Sequence, residues 1–187
     1  MPARNRVRDR ERIEAMVGRV TLEAFLRNQP CDEPPVCLTA ATLTRLLHRV
    51  EELSRFAVAR QADHVRFAVE VDDDLVFMAH RPSLFRSLMI LIENALDALY
   101  RARVGRVTVT ARAIFGEVCI TVADNGPGLP GDWHDALRSQ SALPGLGGLS
   151  EVSDLARRLG GGLRLVRTGG AGTALALDLP DGSMGTA

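Results

Sequence analysis

The sequence predicts an α+β fold: a two-layer α/β sandwich, a mixed sheet with helices on one face, carrying an N-terminal helical arm. Three observations predict it. Residues 65–71, 106–113, 117–123 and 173–179 alternate apolar and polar side chains, the period of a half-buried strand. Residues 40–60, 83–103 and 148–159 repeat apolar side chains three and four apart, the period of a helix with one buried face. Residues 4–28 form a further amphipathic stretch, cut off from the rest by the proline-bearing run NQPCDEPP.

The totals narrow the class of protein. A chain of 187 residues accommodates one compact domain with a short arm. It is 46% hydrophobic but only 4% aromatic, so its core is built from Leu, Val, Ile and Ala. The formal net charge is zero, which supplies no general attraction to nucleic acid or to a membrane surface. No lysine occurs, and all 23 basic residues are arginine. A phosphate-binding loop of the Gly-Lys-Thr kind and Schiff-base chemistry on a lysine are thereby excluded. Cys31, Cys37 and Cys119 have no metal-binding spacing and are odd in number, so reduced thiols in the cytoplasm are expected. The middle of the chain has no apolar run near membrane-spanning length, so no membrane contact by this segment is expected. A parent protein anchored upstream stays compatible with that.

The elements follow in order. In the arm, Ile13, Met16, Val17, Val20, Leu22, Phe25 and Leu26 form an apolar stripe that needs a partner, either the following domain or a second copy. Residues 36–38 read as a short strand, and Thr39 as the N-cap of a helix bearing Leu43, Leu46, Leu47, Val50, Leu53 and Phe56. Residues 65–71 and 75–79 are expected to pair as a hairpin turned by Asp72, Asp73 and Asp74. Arg81-Pro82-Ser83 opens the longest helix, expected to run to about Arg103 and to stop at Gly105. A hairpin turned by Phe115-Gly116 follows. It leads into VADNGPGLP, Val122 to Pro130. Residues 131–144 read as irregular. A helix from about Gly148 ends at Gly160-Gly161-Gly162, and residues 163–166 and 173–179 make the last hairpin. Residues 181–187 read as a tail.

Three stretches carry candidate chemistry. The first is Glu93-Asn94-Ala95-Leu96-Asp97 in the long helix, where Asn94 and Asp97 share a face and Arg101 lies a turn further on. An amide oxygen beside a carboxylate suits a hard cation such as Mg²⁺. Alone, the same residues read as a solvated polar stripe. The second is Asp124 with Gly126 and Gly128. A strand-end carboxylate can accept a hydrogen bond from an exocyclic amine such as that of adenine, and the glycines let a loop pass close by. Alone, it is an ordinary surface turn. The third is Gly145-Leu146-Gly147-Gly148 opening a helix, where free N–H groups and the helix dipole suit a phosphate.

Together these stretches resemble the ATP-binding catalytic domain of sensor histidine kinases, within the wider superfamily of gyrase, the Hsp90 chaperones and MutL. ENALDAL resembles the N-box, DNGPG the first glycine box, GLGGLSEVSDLARRLGG the second, and GGAGTALALDLP the closing Gly-Thr hairpin. The match in order and spacing covers residues 36–180, with residues 1–35 as arm and linker resembling the end of a dimerisation hairpin. The resemblance implies a Bergerat-type ATP-binding fold with ATP and Mg²⁺ as ligands. It implies that Asn94 coordinates the Mg²⁺ and that Asp124 bonds the adenine amino group, with Thr173 at the same edge. Gly126 and Gly128 would let the loop pass the base. Gly145, Gly147 and Gly148 would flank the phosphates, with Asp97 and Arg101 also on the nucleotide side. The segment between the glycine boxes would be the ATP lid.

The chain departs from the family pattern at three places. Ile90 stands four residues before Asn94, where relatives that hydrolyse ATP carry a glutamate and many kinases an asparagine. An apolar side chain cannot orient a water, and Glu93 points about 100° away round the helix, so self-contained hydrolysis is not expected. The lid is short, with Trp133 as the remnant of an aromatic box, and Leu146 shifts the second glycine box by one residue.

No histidine precedes His48. His48, His64 and His80 read as surface or structural residues, and His134-Asp135 as a chance imitation of an acceptor box. The phospho-acceptor histidine is therefore expected on a hairpin outside this segment. The implied function is transfer of the ATP γ-phosphate to that histidine, with no catalytic side chain assigned in this chain. A cognate response regulator and a homodimer through the arm complete the expected partners. Two alternatives stand beside it: a nucleotide- or partner-binding regulatory module without transfer, and a serine kinase of the anti-sigma-factor type.

Overall fold

A computed structural model describes residues 34–57, 64–100, 102, 104–138 and 148–182. The arm expected at residues 4–28 lies outside them, as do Arg101, Gly145 and Gly147.

The elements in chain order are β1 (Val36–Thr39), α1 (Ala40–Ala57), β2 (Val65–Val71), β3 (Val76–Ala79), α2 (Arg81–Ala98), β4 (Gly105–Ile114), β5 (Glu117–Asp124), α3 (Gly131–Arg138), α4 (Gly148–Arg158), β6 (Gly162–Gly169) and β7 (Gly172–Pro180). Five strands form the main sheet in the order β2-β4-β5-β7-β6. The β2–β4 pair is parallel, whereas β4–β5, β5–β7 and β6–β7 are antiparallel. Helices α1, α2 and α4 cover one face, which makes the two layers expected from the sequence.

Alternation in the strands places the core. Val107, Val109 and Ala111 of β4, Val118, Ile120 and Val122 of β5, and Leu175, Leu177 and Leu179 of β7 are all buried. Helix α2 lies against them and is apolar around much of its circumference. Leu84, Leu88, Leu91, Ile92 and Leu96 are fully buried, each contributing about 1.5–3 kcal/mol relative to an exposed position. Among the described residues no helix is long and apolar enough to cross a membrane.

Caps follow local chemistry. The Thr39 N–H donates to Thr42 Oγ1 at 2.9 Å and the Thr42 N–H to Thr39 Oγ1 at 3.4 Å, a reciprocal cap that opens α1. His80, rather than a serine, caps α2: its Nδ1 accepts from the Ser83 N–H at 3.3 Å. His64 Nε2 lies 3.0 Å from the Leu99 carbonyl oxygen at the other end of the same helix. Both histidines are structural, as expected. His48 is exposed on α1, 3.7 Å from Glu51.

Four sequence expectations are corrected. The first concerns residues 65–71 and 75–79, which do not pair as a hairpin. Strand β3 pairs with β1, with Leu38 opposite Phe77, while β2 takes β4 as its parallel neighbour. The turn is real, since the Leu75 N–H donates to the Asp72 carbonyl at 3.1 Å. However, buried Leu75 lets the chain leave the sheet, and its carbonyl accepts from the Ala40 N–H at 2.8 Å. The second concerns the end of α2, which stops at Ala98. Tight turns close it, Leu99 N–H to Leu96 O at 3.1 Å and Tyr100 N–H to Asp97 O at 3.2 Å.

The third follows from the second: Gly105 begins β4 instead, where a methyl on its Cα would lie 2.6 Å from Val65 Cγ2. The fourth concerns residues 131–138, which are a helix. The Trp133 and His134 N–H groups donate to the Pro130 carbonyl, and Leu137 is buried a turn after half-buried Trp133.

The β4–β5 connection is a two-residue turn between Ile114 and Glu117, with Phe115 at φ 50° and Gly116 at φ 84°. Positive φ at both positions is the type I′ pattern, which favours Asn-Gly and costs a bulky side chain. The Phe115 side chain is fully exposed and has no packing to lose. Phe115→Asn is therefore expected to raise stability by about 0.5 kcal/mol, read as a higher urea midpoint at unchanged m-value. A lowered midpoint would contradict this account of the turn.

Candidate functional site

Asp124 is the last residue of β5 and stands opposite Val107. Val118, Ile120 and Val122 precede it at every second position, so parity places Asp124 on the core-facing side of the sheet. The strand thus puts a carboxylate where an apolar side chain would ordinarily go, and Asp124 is only 8% exposed. Its Oδ1 accepts from the Gly126 N–H at 2.7 Å and the Thr173 N–H at 3.3 Å. Burial pushes its pKa above the ordinary carboxylate value. The Gly126 and Thr173 N–H bonds and the charge of Arg167 partly offset that rise.

The carboxylate faces a cavity of about 240 Å³ whose walls are mostly apolar: Leu91, Ala95, Ala98, Val122, Leu129, Leu149 and Leu175, with Trp133 at one side. Asn94, Asp124 and Thr173 supply the polar side chains. An apolar slot with a few convergent polar groups is the usual form of a small-molecule site. Asn94 is exposed, while Thr173 is buried at 6% beside Asp124.

The other expected residues divide around this cavity. Gly128 lines it, and Gly126 donates to Asp124. Asp97 does not line it. It lines a neighbouring concavity with Tyr100, Ala102 and Asn125, which shares Ala98 and Pro127 with the cavity. Gly148 opens α4, whose next residue, Leu149, reaches the cavity. A methyl on Gly148 would lie 2.7 Å from Ile90 Cγ2, so buried Ile90 fills the space beneath the second glycine motif.

The structure adds residues that sequence reasoning missed. Asn125 stitches the turn to the start of β4: its Oδ1 accepts from the Arg106 N–H at 2.6 Å and its Nδ2 donates to the Val104 carbonyl at 3.1 Å. Thr168 Oγ1 accepts from the Leu129 N–H at 2.7 Å. Of the expected residues, Gly128 has φ 89°, and a methyl there would lie 2.7 Å from the Gly169 carbonyl oxygen. Gly172 has φ 104°, and a methyl on it would overlap the Asp124 carbonyl oxygen. The glycine content of GGAGT was the available signal for Gly172. Nothing local marked Thr168.

The fold defines a class: a two-layer sandwich shared with histidine-kinase catalytic domains. The catalytic domain of the histidine kinase ThkA superposes with a TM-score of 0.64 at 20% identity, covering 80% of this chain and 99% of that one. The mycobacterial sensor histidine kinase MprB superposes with a TM-score of 0.60 at 27% identity, covering 80% and 98%. The chain belongs to the histidine kinase-, DNA gyrase B-, and HSP90-like ATPase family, whose sequence profile matches residues 79–183. In sequence it is 32% identical over 131 residues to the C4-dicarboxylate transport sensor protein DctB of Rhizobium meliloti (strain 1021). That match covers 68% of this chain and 21% of the length of DctB.

The buried carboxylate has a measurable signature. Its folded-state pKa is raised above the ordinary 3.8, so the folded state binds its proton more tightly than the unfolded chain. The stability linked to that proton is fully present below the ordinary value and is lost as pH rises through the raised one. Relative to Asp124→Asn, the wild type is expected to lose unfolding free energy as pH rises from below the ordinary 3.8 through the raised value. Urea titrations of both proteins across that range measure it, and parallel pH profiles would count against a raised pKa.

Proposed function

We propose that this chain is the ATP-binding catalytic domain of a sensor histidine kinase, spanning residues 36–180. In this reading it presents the γ-phosphate of ATP to a histidine on a helical hairpin outside this segment. The observation that carries the reading is the buried Asp124 carboxylate at the base of an apolar cavity that lies against the Asn94-bearing face of α2. The apolar walls suit a purine. Asp124 Oδ1 is already engaged by two N–H groups, which leaves Oδ2 to accept from the adenine amino group. Thr173 stands beside it, and Gly126 and Gly128 let the turn pass close to the base.

The phosphates then extend toward Asn94 and the N-terminus of α4. Among the described residues no group of three His, Cys, Asp or Glu side chains could hold a metal. A cation here would lean on phosphate oxygens and water, with the exposed Asn94 amide oxygen as its protein ligand. That sparse donor set fits Mg²⁺. When bound, Mg²⁺ would neutralise phosphate charge. This chain's own residues bind and orient the nucleotide, and positioning supplies most of the catalysis. Asp97, in the adjoining concavity, and Arg101, Gly145 and Gly147 complete the proposed nucleotide side.

Ile90, packed on Gly148, provides no group to orient a water, which disfavours hydrolysis by the domain alone and is compatible with transfer to a partner. The same apolar contact favours, as a second reading, a regulatory module that binds nucleotide without transfer. The proposed partners are a response regulator, the class of protein complexed with ThkA in a structure similar to this one, and a second copy of the chain through its arm.

Titration with Mg·ATP tests the reading. Saturable binding is expected for the wild type. Asp124→Ala is expected to weaken it at least about tenfold, since the variant removes a buried charge-assisted acceptor. Absence of binding by the wild type would falsify the nucleotide reading, and equal binding by the variant would refute the adenine role. Base-stable, acid-labile phosphate on a supplied histidine hairpin then separates transfer from mere binding, and acid-stable phosphate on a partner would indicate a serine kinase.

A further inference from the structure

Strand β6 carries an irregularity that changes which of its residues face the cavity. Leu163 is buried in the core and half-buried Leu165 packs against it, opposite Leu177 and Leu175. Strict alternation would send Arg167 inward as well and turn Thr168 to the outer face. Val166 instead forms a bulge: Leu165 stands opposite Leu175 and Arg167 opposite Ala174, with Val166 extra. Parity is thereby reversed. Arg167 is exposed, and Thr168 is set opposite Thr173, the residue that lines the cavity beside Asp124.

The turned-in hydroxyl meets one specific group. Thr168 Oγ1 lies 2.7 Å from the Leu129 nitrogen in a half-buried setting. Leu129 and Pro130 both line the cavity, and α3 starts at the next residue, Gly131. Two close backbone contacts bracket the same place. Gly128 lies against the Gly169 backbone, and Gly172 against the Asp124 carbonyl. The tip of the β6–β7 hairpin therefore grips the turn after Asp124 at both ends.

We propose that Thr168 is a positioning residue for the nucleotide: its hydroxyl, brought inward by the β6 bulge, fixes Leu129 and with it the wall where the segment between the two glycine motifs departs. The ligand part of this inference rests on the nucleotide reading of the cavity. The clasp itself does not. Without the hydroxyl acceptor, the Leu129 N–H loses its partner and the wall formed by Leu129, Pro130 and Trp133 must be ordered by the ligand, at a cost to affinity.

Thr168→Val keeps the shape and the strand preference of threonine and removes only the hydroxyl, and with it the acceptor. Its Kd for Mg·ATP is expected to rise about three- to tenfold, and Thr168→Ser to restore it to within about twofold of the wild type. Amide hydrogen exchange on the full chain without nucleotide is expected to quicken at Leu129 in Thr168→Val and Thr168→Ala, and to stay unchanged at Gly126. Unaltered affinity in Thr168→Val, or failure of serine to rescue, would overturn the positioning role. Unaltered Leu129 exchange would overturn the clasp. If the wild type bound no nucleotide, the affinity part would fall with the functional reading, whereas the exchange result would still decide the clasp.

Discussion

Much of this molecule answers to one constraint, the placing of a carboxylate on the apolar face of a central strand. Strand β5 lies between β4 and β7 in the middle of the sheet, and its alternation carries Asp124 into the layer that Val118, Ile120 and Val122 fill with hydrocarbon. A buried carboxylate is tolerated only with hydrogen-bond donors around it. The chain supplies them from two directions, the Gly126 N–H of the following turn and the Thr173 N–H of the neighbouring strand. Both donors are backbone groups, so they hold one oxygen without filling the cavity in front of the other.

That requirement explains the glycines. For the Gly126 N–H to reach back, the chain must fold tightly over its own carboxylate, and a methyl on Gly126 would lie 2.8 Å from Asp124 Oδ1. For the Thr173 N–H to reach in, the hairpin must approach at backbone distance, which Gly172 permits. The helical layer is held in register with the same region. Arg86 of α2 forms a two-pronged ion pair with Glu151 of α4, at 2.8 Å and 2.9 Å, with the Arg86 side chain 15% exposed. Such a fork fixes orientation as well as distance. It keeps the N-terminal turn of α4 against α2, where Ile90 meets Gly148. The helix bearing Asn94 and the helix opened by the second glycine motif therefore behave as one surface.

Much of the scaffold was legible because it is local. The apolar spacing of Leu84, Leu88, Leu91 and Leu96 announces α2, and Gly160 announces the end of α4, where the Gly161 N–H reaches back to the Ala156 carbonyl at 2.9 Å. What was misread was pairing. Alternation in residues 65–71 and the short apolar run at residues 75–79 show that both are strands but not which edge each one meets. The choice between a local hairpin and a parallel partner 40 residues on, Val65 beside Gly105, depends on cores that neither segment contains. Helix α3 was missed because eight residues with a single Trp133–Leu137 pair give too little periodicity.

The site divides along the same line. By itself the sequence determined that a carboxylate ends an apolar strand and enters a glycine turn, because side-chain parity and turn chemistry are properties of neighbouring residues. It also determined that no lysine would serve a phosphate and that Ile90 cannot orient a water. Only the tertiary structure decided that Asn94 shares the cavity with Asp124 whereas Asp97 lines the adjoining concavity. Only it turned Thr168 inward, through a bulge whose one extra residue reverses the faces of the strand's end. Those outcomes depend on where separate segments meet, and contact across the fold is set by packing rather than by adjacency along the chain.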